Sequence, residues 1–402
     1  MMIGDKWMGK IMQNVDVLIV GAGPSGLCFA QMLANSGLRI TVLEKQHEDA
    51  IANPAFDGRE IAITHRSARL MRELGIWQHI EESAISPLRD AKVLNGGALN
   101  AMVIDHRDTA QPELGYLISN CVIRKAAYAA VKASPSITLM PNVTISQITT
   151  DEHKARVTLN NGQRIEAQLV VAADNRFSET RRLMGISASM HDFGKTMMVC
   201  VMAHAIDHQH TAWEWFDYGQ TLALLPMQGG KSSVVITLPP REIARLMAMP
   251  EEIFNAEIEQ RFGNRLGQMR LVSTRHAYPL VTVYSDRFVA QRFALIGDAA
   301  VGMHPVTAHG FNFALRGADN LATAIKKAAQ QNADIASTGL LSAYEKFHQR
   351  ATRPLFMATH AIAKIYSNDR LPARIIRSAS LRIGSHLPPF KRAMANMLTD
   401  VR

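Results

Sequence analysis

The chain of 402 residues is long enough for two or three domains with a large apolar core. Its apolar content of 47% and charged content of 20% are those of a globular protein and exclude wholesale disorder. The net charge of +9 is concentrated at one end, because the residues from Leu341 onward include eleven basic and three acidic side chains. The preceding part is nearly neutral and carries no pattern typical of nucleic-acid binding.

The N-terminus lacks the apolar stretch and the cleavage site of a secretory signal, so we expect no export. The three cysteines, Cys28, Cys121 and Cys200, are far apart and have no metal-ligand spacing. This usage is typical of reduced thiols in the cytosol, and it predicts a cytoplasmic protein.

The first predicted elements are a strand at residues 15–20, the sequence G-A-G-P-S-G at 21–26, and a helix. In this pattern the first glycine allows a tight turn, the second lets a pyrophosphate approach the backbone, and the third lets the helix pack on its strand. Glu44 ends the next strand, where a carboxylate suits a ribose diol. The unit predicts a site for a dinucleotide containing ADP. Its predicted contacts are Gly21, Gly23, Pro24, Ser25, Gly26, Glu44 and Lys45.

The next predicted element is an amphipathic helix that begins near Ile61 and ends at Gly75, and a second helix covers residues 122–133. Short strands are predicted around 91–94 and 115–119. Further strands follow at 137–140, 143–149, 156–159 and 164–172. The last two are joined by the turn sequence N-N-G at 160–162, which predicts a hairpin.

Antiparallel strands are predicted at 197–203, 211–216, 222–226 and 232–238, in a region that extends to about residue 279 and contains a helix at 250–262. A strand at 293–296 then returns to the first domain, and the chain after about residue 312 is mostly helical. This order predicts a discontinuous nucleotide domain (1–75, 100–190 and 285–335) interleaved with an antiparallel-sheet substrate domain (76–99 and 191–284). A basic helical segment (336–402) follows.

Three motifs in this order resemble the flavoprotein aromatic hydroxylases built like para-hydroxybenzoate hydroxylase. Besides G-A-G-P-S-G, the segment A-A-D-N-R-F-S at 172–178 stands where the family has A-D-G-x-x-S, and I-G-D-A-A at 296–300 matches its G-D motif. The resemblance implies an α/β fold with α+β elements, in which a Rossmann-like FAD-binding domain is interleaved with a sheet domain for the substrate. It also implies an FAD-dependent monooxygenase.

Other segments are similar to the ubiquinone-biosynthesis hydroxylases, in particular the demethoxyubiquinol hydroxylases of the UbiM type. They are M-H-P-V-T-A-H-G-F-N-F at 303–313, the strands around 213–216 and 222–226, and the tail at 366–369 and 387–392. The similarity extends from about residue 15 to 392. It implies hydroxylation of a polyprenylated, demethoxyubiquinol-like quinol by O2 through a flavin hydroperoxide, with NAD(P)H or another protein as electron donor.

The resemblance also implies roles for individual residues. Asp298 would accept hydrogen bonds from the ribityl chain of FAD, or cap a turn that begins at Ala299. Arg59, at the start of the predicted helix near residue 61, and Arg124 resemble pyrophosphate-binding arginines.

At the flavin itself, Gly310, Phe311 and Asn312 would offer backbone N–H groups at the start of a helix over 312–327. His304 and Pro305 would lie near the flavin face. There, His304 is the candidate general base, with a structural His-Pro turn as the alternative.

Three positions depart from the family pattern. Asn175 replaces the glycine of A-D-G, and we expect it in the left-handed conformation that asparagine tolerates. Val301 replaces a usual histidine, and His309 replaces the glutamine of G-Q-G-x-N. The first two changes bear on nicotinamide access and on loop shape, and the third, beside the flavin, bears on how its pyrimidine edge is held. None removes the FAD site.

His204, His208 and His210 are predicted to share one face of a strand, which could indicate a metal site. No carboxylate or cysteine completes a ligand set, so we predict no metal. The sequence W-E-W at 213–215 is similar to the W-x-W of flavin halogenases, but the residues after it differ. It predicts an ordinary strand that lines the substrate cavity.

Residues 361–397 combine large apolar side chains with basic ones, as helices on anionic membranes do and as solvated helical faces also do. A polyprenyl substrate favours peripheral association with the inner membrane, or with other proteins of ubiquinone biosynthesis. Two alternatives stay open at this point. One is a hydroxylase of a small phenolic acid, and the other is a non-hydroxylating FAD reductase or assembly component.

Overall fold

The computed structural model describes residues 12–96, 101–217, 219–305, 309–366, 394–396 and 398–400. Its strands are β1 (Met12–Val20), β2 (Ile40–Leu43), β3 (Glu60–Ile63), β4 (Ser86–Leu88), β5 (Asp90–Asn95), β6 (Met102–Ile104), β7 (Gly115–Ser119), β8 (Ile137–Met140), β9 (Ile145–Thr150), β10 (Ala155–Leu159), β11 (Arg164–Ala172), β12 (Ala188–His204), β13 (Thr211–Asp217), β14 (Gln220–Met227), β15 (Lys231–Leu238), β16 (Met269–Leu271), β17 (His276–Ser285), β18 (Val289–Ala290), β19 (Phe293–Leu295) and β20 (Val301–Gly302). Its helices are α1 (Pro24–Leu33), α2 (Glu48–Ala52), α3 (His65–Glu73), α4 (Asn120–Lys132), α5 (Glu179–Leu183), α6 (Pro240–Ala248), α7 (Glu251–Arg261), α8 (Gly310–Gln330) and α9 (Thr338–Tyr366).

The first large sheet contains the strands predicted for the nucleotide domain. Its central order is β18-β19-β11-β1-β2-β8, and β1 runs parallel to both β2 and β11. Val17, Leu18 and Ile19 are fully buried, as expected for a parallel strand that is covered on both faces. Helix α1 packs against α4 and α8. The predicted Rossmann-like α/β architecture is confirmed.

The second large sheet has the order β20-β17-β12-β15-β14-β13-β5-β6, and among its described pairs only β13 and β5 run parallel. One face packs on α6 and α7 through an apolar core that includes Leu222, Val234 and Phe254. The predicted antiparallel sheet is therefore present. The domain boundaries stay a prediction, and β6 and β20, which fall in ranges predicted for the nucleotide domain, hydrogen-bond to this second sheet.

We call the opposite face of the second sheet its inner face. One row of this face, paired directly across β12, β15, β14, β13 and β5, consists of Val199, Val235, Ala223, Glu214 and Val93. Side chains alternate between the two faces of a strand, and the strand neighbours of this row belong to the core under α6 and α7. A Cβ atom on Gly58 would lie 2.5 Å from Cγ2 of Val199, so the loop before β3 contacts the inner face.

The helix predicted from about Ile61 is wrong in its first turn. Residues 60–63 form β3, which pairs with β7 in a three-stranded sheet with β4. The helix α3 begins only at His65, where the Thr64 hydroxyl accepts a hydrogen bond from Ser67 N at 3.3 Å. A side-chain cap of this kind fixes the start of a helix, and the partner strand β7 lies more than fifty residues away in the sequence.

Two further differences lie in the second sheet. The strand predicted from residue 197 begins at Ala188, and its pairing with β17 shifts register between Asp192 and Thr196. Gly194, inside this interruption, has a φ of +64°. The helix α6, which follows a pair of prolines, was not predicted. Pairing across a bulge depends on the partner strand, and a local sequence pattern does not contain that information.

The helical C-terminal segment is confirmed by α8 and by the 29-residue helix α9. Most of the predicted basic stretch 361–397 lies outside the described residues. Residues 394–396 are helical, and Ala395 is fully buried in an apolar cluster with Leu88 and Leu114. None of the described helices combines the length and the apolar character that crossing a bilayer requires.

Candidate cofactor and substrate site

The three glycines of the fingerprint occupy three different environments. Gly21 has a φ of +108°, and a Cβ there would lie 2.7 Å from the carbonyl oxygen of Ala173. A Cβ on Gly26 would collide with the carbonyl oxygen of Gly21, so a glycine is needed for α1 to pack this closely. By contrast, no atom of the part of the chain that the structure describes lies within 4 Å of a Cβ on Gly23. The backbone at Gly23 thus borders open space at the first turn of α1, as a pyrophosphate site requires.

Glu44 is anchored to the same turn. Its Oε2 accepts a hydrogen bond from Ala22 N at 2.7 Å, and its Oε1 accepts one from Gln46 N at 3.0 Å. Arg124 on α4 donates to the Gln46 side chain at 2.9 Å, so it lies beside the end of β2 together with the exposed Lys45. The structure brings these predicted residues together, while their contacts with a nucleotide stay a prediction.

The G-D motif sits directly on the fingerprint helix. Gly297 has a φ of +61°, and a Cβ there would lie 2.8 Å from Oγ of Ser25. Asp298 is in the middle of a single 3-10 turn, Gly297–Ala299, which begins after Ile296. The alternative that Asp298 caps a turn is therefore wrong. Its side chain is 43% exposed, so its carboxylate can reach a ligand lying along α1.

Two arginines that the sequence did not identify hold this motif in place. Arg176 donates to Oδ2 of Asp298 at 3.0 Å and to the carbonyl oxygen of Val281 at 2.8 Å, which ties the motif to β17. Arg181 is almost fully buried and donates to the carbonyl oxygen of Ala299 at 3.0 Å. The only sequence signal for the role of these arginines is that Arg176 lies within the A-A-D-N-R-F-S segment at 172–178.

The expectation for Asn175 is wrong. It is not among the residues with a positive φ. Instead its Oδ1 accepts a hydrogen bond from Phe177 N at 2.8 Å, and its carbonyl oxygen accepts one from Ser178 N at 2.9 Å. Asparagine therefore replaces the family's glycine by forming a side-chain turn, which needs no left-handed backbone.

Arg59 precedes a strand and not the predicted helix. Its guanidinium pairs with Asp57 at 2.6 Å and lies 5.7 Å from the ring centre of Tyr278 on β17. Burial opposes ionisation of Asp57, but hydrogen bonds from Arg59 and Asn120 bring the pKa of its carboxyl below the usual range. The Tyr278 hydroxyl donates to the carbonyl oxygen of Asp57 at 2.7 Å. Arg59 thus lies where the loop before β3 meets β17 of the second large sheet.

The start of α8 carries the same open space as the fingerprint. Gly310 is the first residue of α8, and no atom of the described residues lies within 4 Å of a Cβ placed on it. Phe311 follows it in the first turn. Asn312 is buried, and its side chain donates to the carbonyl oxygen of Ala62 at 2.8 Å and accepts from Thr64 N at 3.0 Å. The Asn312 side chain therefore holds α8 against β3, which sequence reasoning missed.

His304 lies in a cluster with His191, Phe193 and His360. The centres of the His304 and Phe193 rings are 5.0 Å apart. Burial, aided by the nearby charges of His360 and Arg176, lowers the pKa of His304 to about 4. A base with so low a pKa takes a proton from a phenol poorly at neutral pH. Pro305 is exposed beside it, and their placement at a flavin face stays a prediction.

The three histidines considered as metal ligands do not share a strand face. His204 ends β12, while His208 and His210 lie in the following loop. The two ring nitrogens of His204 contact the carbonyl oxygen of Ile206 at 2.8 Å and Oγ of Ser232 at 2.9 Å. Nε2 of His208 contacts the carbonyl oxygen of Met227 at 2.9 Å. These contacts explain why the histidines cluster without any need for a metal.

Sequence comparison identifies the family of the chain. The family described as "FAD binding domain" matches residues 14–358. The chain is 45% identical over 388 residues to the ubiquinone hydroxylase UbiM of Neisseria meningitidis serogroup C, covering 96% of this chain and 84% of the relative. The chain belongs to the FAD-binding family that includes the ubiquinone hydroxylases. FAD is its cofactor.

Two other proteins extend the comparison. The ubiquinone hydroxylase UbiL of Rhodospirillum rubrum is 33% identical over 384 residues, covering 96% of this chain and 89% of UbiL. The crystal structure of p-nitrophenol 4-monooxygenase PnpA from Pseudomonas putida is similar in fold, with a TM-score of 0.79 at 19% identity. That match covers 97% of this chain and 100% of PnpA.

The residues present fit the cofactor of this family. Open space borders Gly23 and Gly310 at the starts of α1 and α8, which pack together. The accessible carboxylate of Asp298 follows Gly297, where a Cβ would contact Ser25 of α1 and Ala314 of α8. Gly23 suits the pyrophosphate, Asp298 suits the ribityl hydroxyls, and the first N–H groups of α8 suit an electron-rich ring edge. The assignment of each residue to a part of FAD stays a proposal.

Proposed function

We propose that the protein is an FAD-dependent monooxygenase that hydroxylates the aromatic ring of a polyprenylated, demethoxyubiquinol-like intermediate of ubiquinone biosynthesis. The observation that carries this proposal is the 45% identity to UbiM across nearly the whole chain. Reduced FAD supplies the activation of O2. The residues of this chain hold the cofactor, orient the ring and exclude water from it.

An apolar region between the sheets supports a prenylated substrate. It contains Leu88, Leu114 and Leu117, and on the inner face Val93 and Leu225 pack against it. A cavity of about 10 Å³ at its edge is lined by Leu88 and Leu114, by His309 and Asn312 at the start of α8, and by Leu398. An isoprenoid chain would enter this region only by displacing the apolar side chains that fill it, and it would then lie next to the first turn of α8, where the ring edge of the cofactor is proposed.

The same inner face argues against a small phenolic acid as substrate. A free carboxylate needs a cationic or multiply hydrogen-bonding partner when it is taken out of water. The row Val199, Val235, Ala223, Glu214 and Val93 offers no cation, and Glu214 would repel a carboxylate if ionised. The remaining alternative is a reductase that does not hydroxylate. It would leave the quinol without a new hydroxyl, so oxygen-18 incorporation distinguishes it from a hydroxylase.

The pathway assignment is tested by the quinone profile of cells that lack the chain. We expect mass spectrometry to detect a prenylated precursor that lacks one hydroxyl or its derived methoxy group. Re-expression of the wild-type chain should remove this precursor, and a cofactor-free variant should not. An unchanged profile in cells without any second ring hydroxylase would contradict the proposal.

We also propose that the protein associates with the membrane surface through α9. The exposed side of α9 carries Lys346, Arg350 and Arg353, followed by Met357, which is 59% exposed. Cations beside exposed apolar groups suit an anionic lipid surface, where a polyprenyl substrate resides. The basic residues after α9 would add to this attraction.

Replacing Lys346, Arg350 and Arg353 with glutamate should reduce sedimentation with vesicles that contain phosphatidylglycerol. Each lysine or arginine near such a surface contributes about 1 kcal/mol, so we expect a loss of at least about ten-fold in binding. The matched control changes Lys125, Arg182 and Arg270, which are also exposed. Equal binding by both triple variants, with FAD retained in each, would contradict the proposal.

A further inference from the structure

Glu214 occupies an unusual position on the inner face. It lies on β13 directly opposite Ala223 on β14 and Val93 on β5, in a row that otherwise consists of aliphatic side chains. Its neighbours along β13, Trp213 and Trp215, pack toward the core under α6 and α7. The carboxyl therefore projects from the opposite side, which borders the apolar region proposed for the substrate.

The surroundings of Glu214 favour its neutral form. Burial raises the pKa of its carboxyl to about 8. The residue nevertheless keeps part of its surface accessible. Its neighbours on the same face carry no ionisable group. They are Ala212 and Phe216 on β13, Thr221, Ala223 and Leu225 on β14, and Ala91, Val93 and Asn95 on β5.

No hydrogen bond or ion pair joins Glu214 to any residue that the structure describes. A neutral carboxyl offers one O–H donor and acceptor oxygens, and buried polar groups are nearly always paired. The directly paired Ala223 and Val93 are apolar and cannot supply that partner. A ligand in the bordering apolar region can do so if it carries an oxygen, and the ring hydroxyls of a quinol are oxygens of this kind.

We propose that the Glu214 carboxyl donates a hydrogen bond to a ring oxygen of the quinol and so determines which ring carbon faces the cofactor. This inference rests on the proposed function. It assigns Glu214 a role in binding and orientation, and no covalent step. The aliphatic neighbours would contact the ring and the first isoprene unit, while Glu214 fixes the rotation of the ring between them.

The test uses the purified, FAD-loaded full chain and a demethoxyubiquinol that carries two isoprene units. Wild type is measured first, and no turnover of this quinol would count against the proposed function itself. If wild type is active, we expect Glu214→Leu to raise KM about five- to ten-fold, because one hydrogen bond is lost. Glu214→Gln keeps a donor and should stay within about three-fold of wild type. Glu252→Gln, at an exposed position, is the control.

The pH profile separates this role from a purely structural one. In wild type, kcat/KM should fall above about pH 8 as Glu214 loses its proton. Glu214→Gln cannot ionise, so this decline should be absent or displaced. An unchanged KM in Glu214→Leu, or the same alkaline decline in Glu214→Gln, would overturn the inference.

Thermal unfolding provides a readout that needs no substrate. Between the carboxyl's ordinary pKa near 4.5 and about pH 8, Glu214 is protonated in the folded protein and ionised in the unfolded chain. The free energy of unfolding of wild type should therefore decrease as pH rises through this range. The Glu214→Gln side chain cannot ionise, so it does not cause this decrease. We expect its melting temperature to exceed that of wild type at pH 8, with the difference vanishing near pH 4. The absence of any difference at pH 8 would contradict the neutral state.

Discussion

Replacing Gly23 with valine should give a folded protein that purifies without its yellow cofactor. The backbone at Gly23 borders open space, and no atom of the described residues lies within 4 Å of the new Cβ. It would instead fill the volume where a pyrophosphate approaches the first turn of α1. We expect at least a ten-fold loss of bound FAD, roughly 1.4 kcal/mol or more in affinity. The absorbance ratio at flavin and protein wavelengths measures this, and circular dichroism checks the fold.

Gly26→Val serves as a comparison, because the space around Gly26 is filled by protein atoms whereas the space around Gly23 is open. Its Cβ would collide with the carbonyl oxygen of Gly21, so we expect this variant to fold poorly or not at all. Gly339→Val, at an exposed position with no atom within 4 Å of the Cβ, controls for the substitution itself. Full FAD content in the Gly23→Val protein would contradict the assignment of the fingerprint to the cofactor site.

Asp298→Ala should weaken FAD binding by about ten- to a hundred-fold. Hydrogen bonds to a charged group contribute about 1.5–3 kcal/mol, and Asp298 presents an accessible carboxylate beside α1. The alanine variant also leaves Arg176 without its carboxylate partner. Titration of the apoprotein with FAD, followed by quenching of flavin fluorescence, gives the dissociation constant.

Two further variants separate direct contact from an effect through Arg176. Asp298→Asn keeps an acceptor oxygen and should lose less affinity than Asp298→Ala. Arg176→Gln keeps Asp298 but breaks the ion pair between them. If Arg176→Gln costs as much as Asp298→Ala, the carboxylate acts by positioning Arg176. Undiminished FAD affinity in Asp298→Ala would contradict the assigned contact.

The parts of the fold set by local chemistry could be predicted from the sequence. The turn at Gly21, the open backbone at Gly23 and the close packing at Gly26 follow from how each glycine must act in a strand-turn-helix unit. Long buried strands such as β11 were also correctly predicted, because a run of β-branched and aliphatic residues between turn residues indicates a buried strand.

What could not be predicted depends on distant partners. β3 is a strand because β7 pairs with it, and α3 begins late because Thr64 caps it. The low pKa of His304 results from burial against elements that are far away in the sequence. Glu214 was passed over for the same reason. The sequence W-E-W shows alternation along a strand, but it does not show which face will border the substrate.

The most direct test of the proposed hydroxylation supplies oxygen-18 gas to the FAD-loaded protein. Photoreduction of the flavin with deazaflavin and EDTA removes the need for a particular electron donor. Demethoxyubiquinol with two isoprene units is the substrate, and 4-hydroxybenzoate is the small-phenol comparison. We predict a hydroxylated quinol that contains one oxygen-18 atom, and no labelled product from 4-hydroxybenzoate. Oxygen consumption that yields only hydrogen peroxide, with no label in the quinol, would contradict the account.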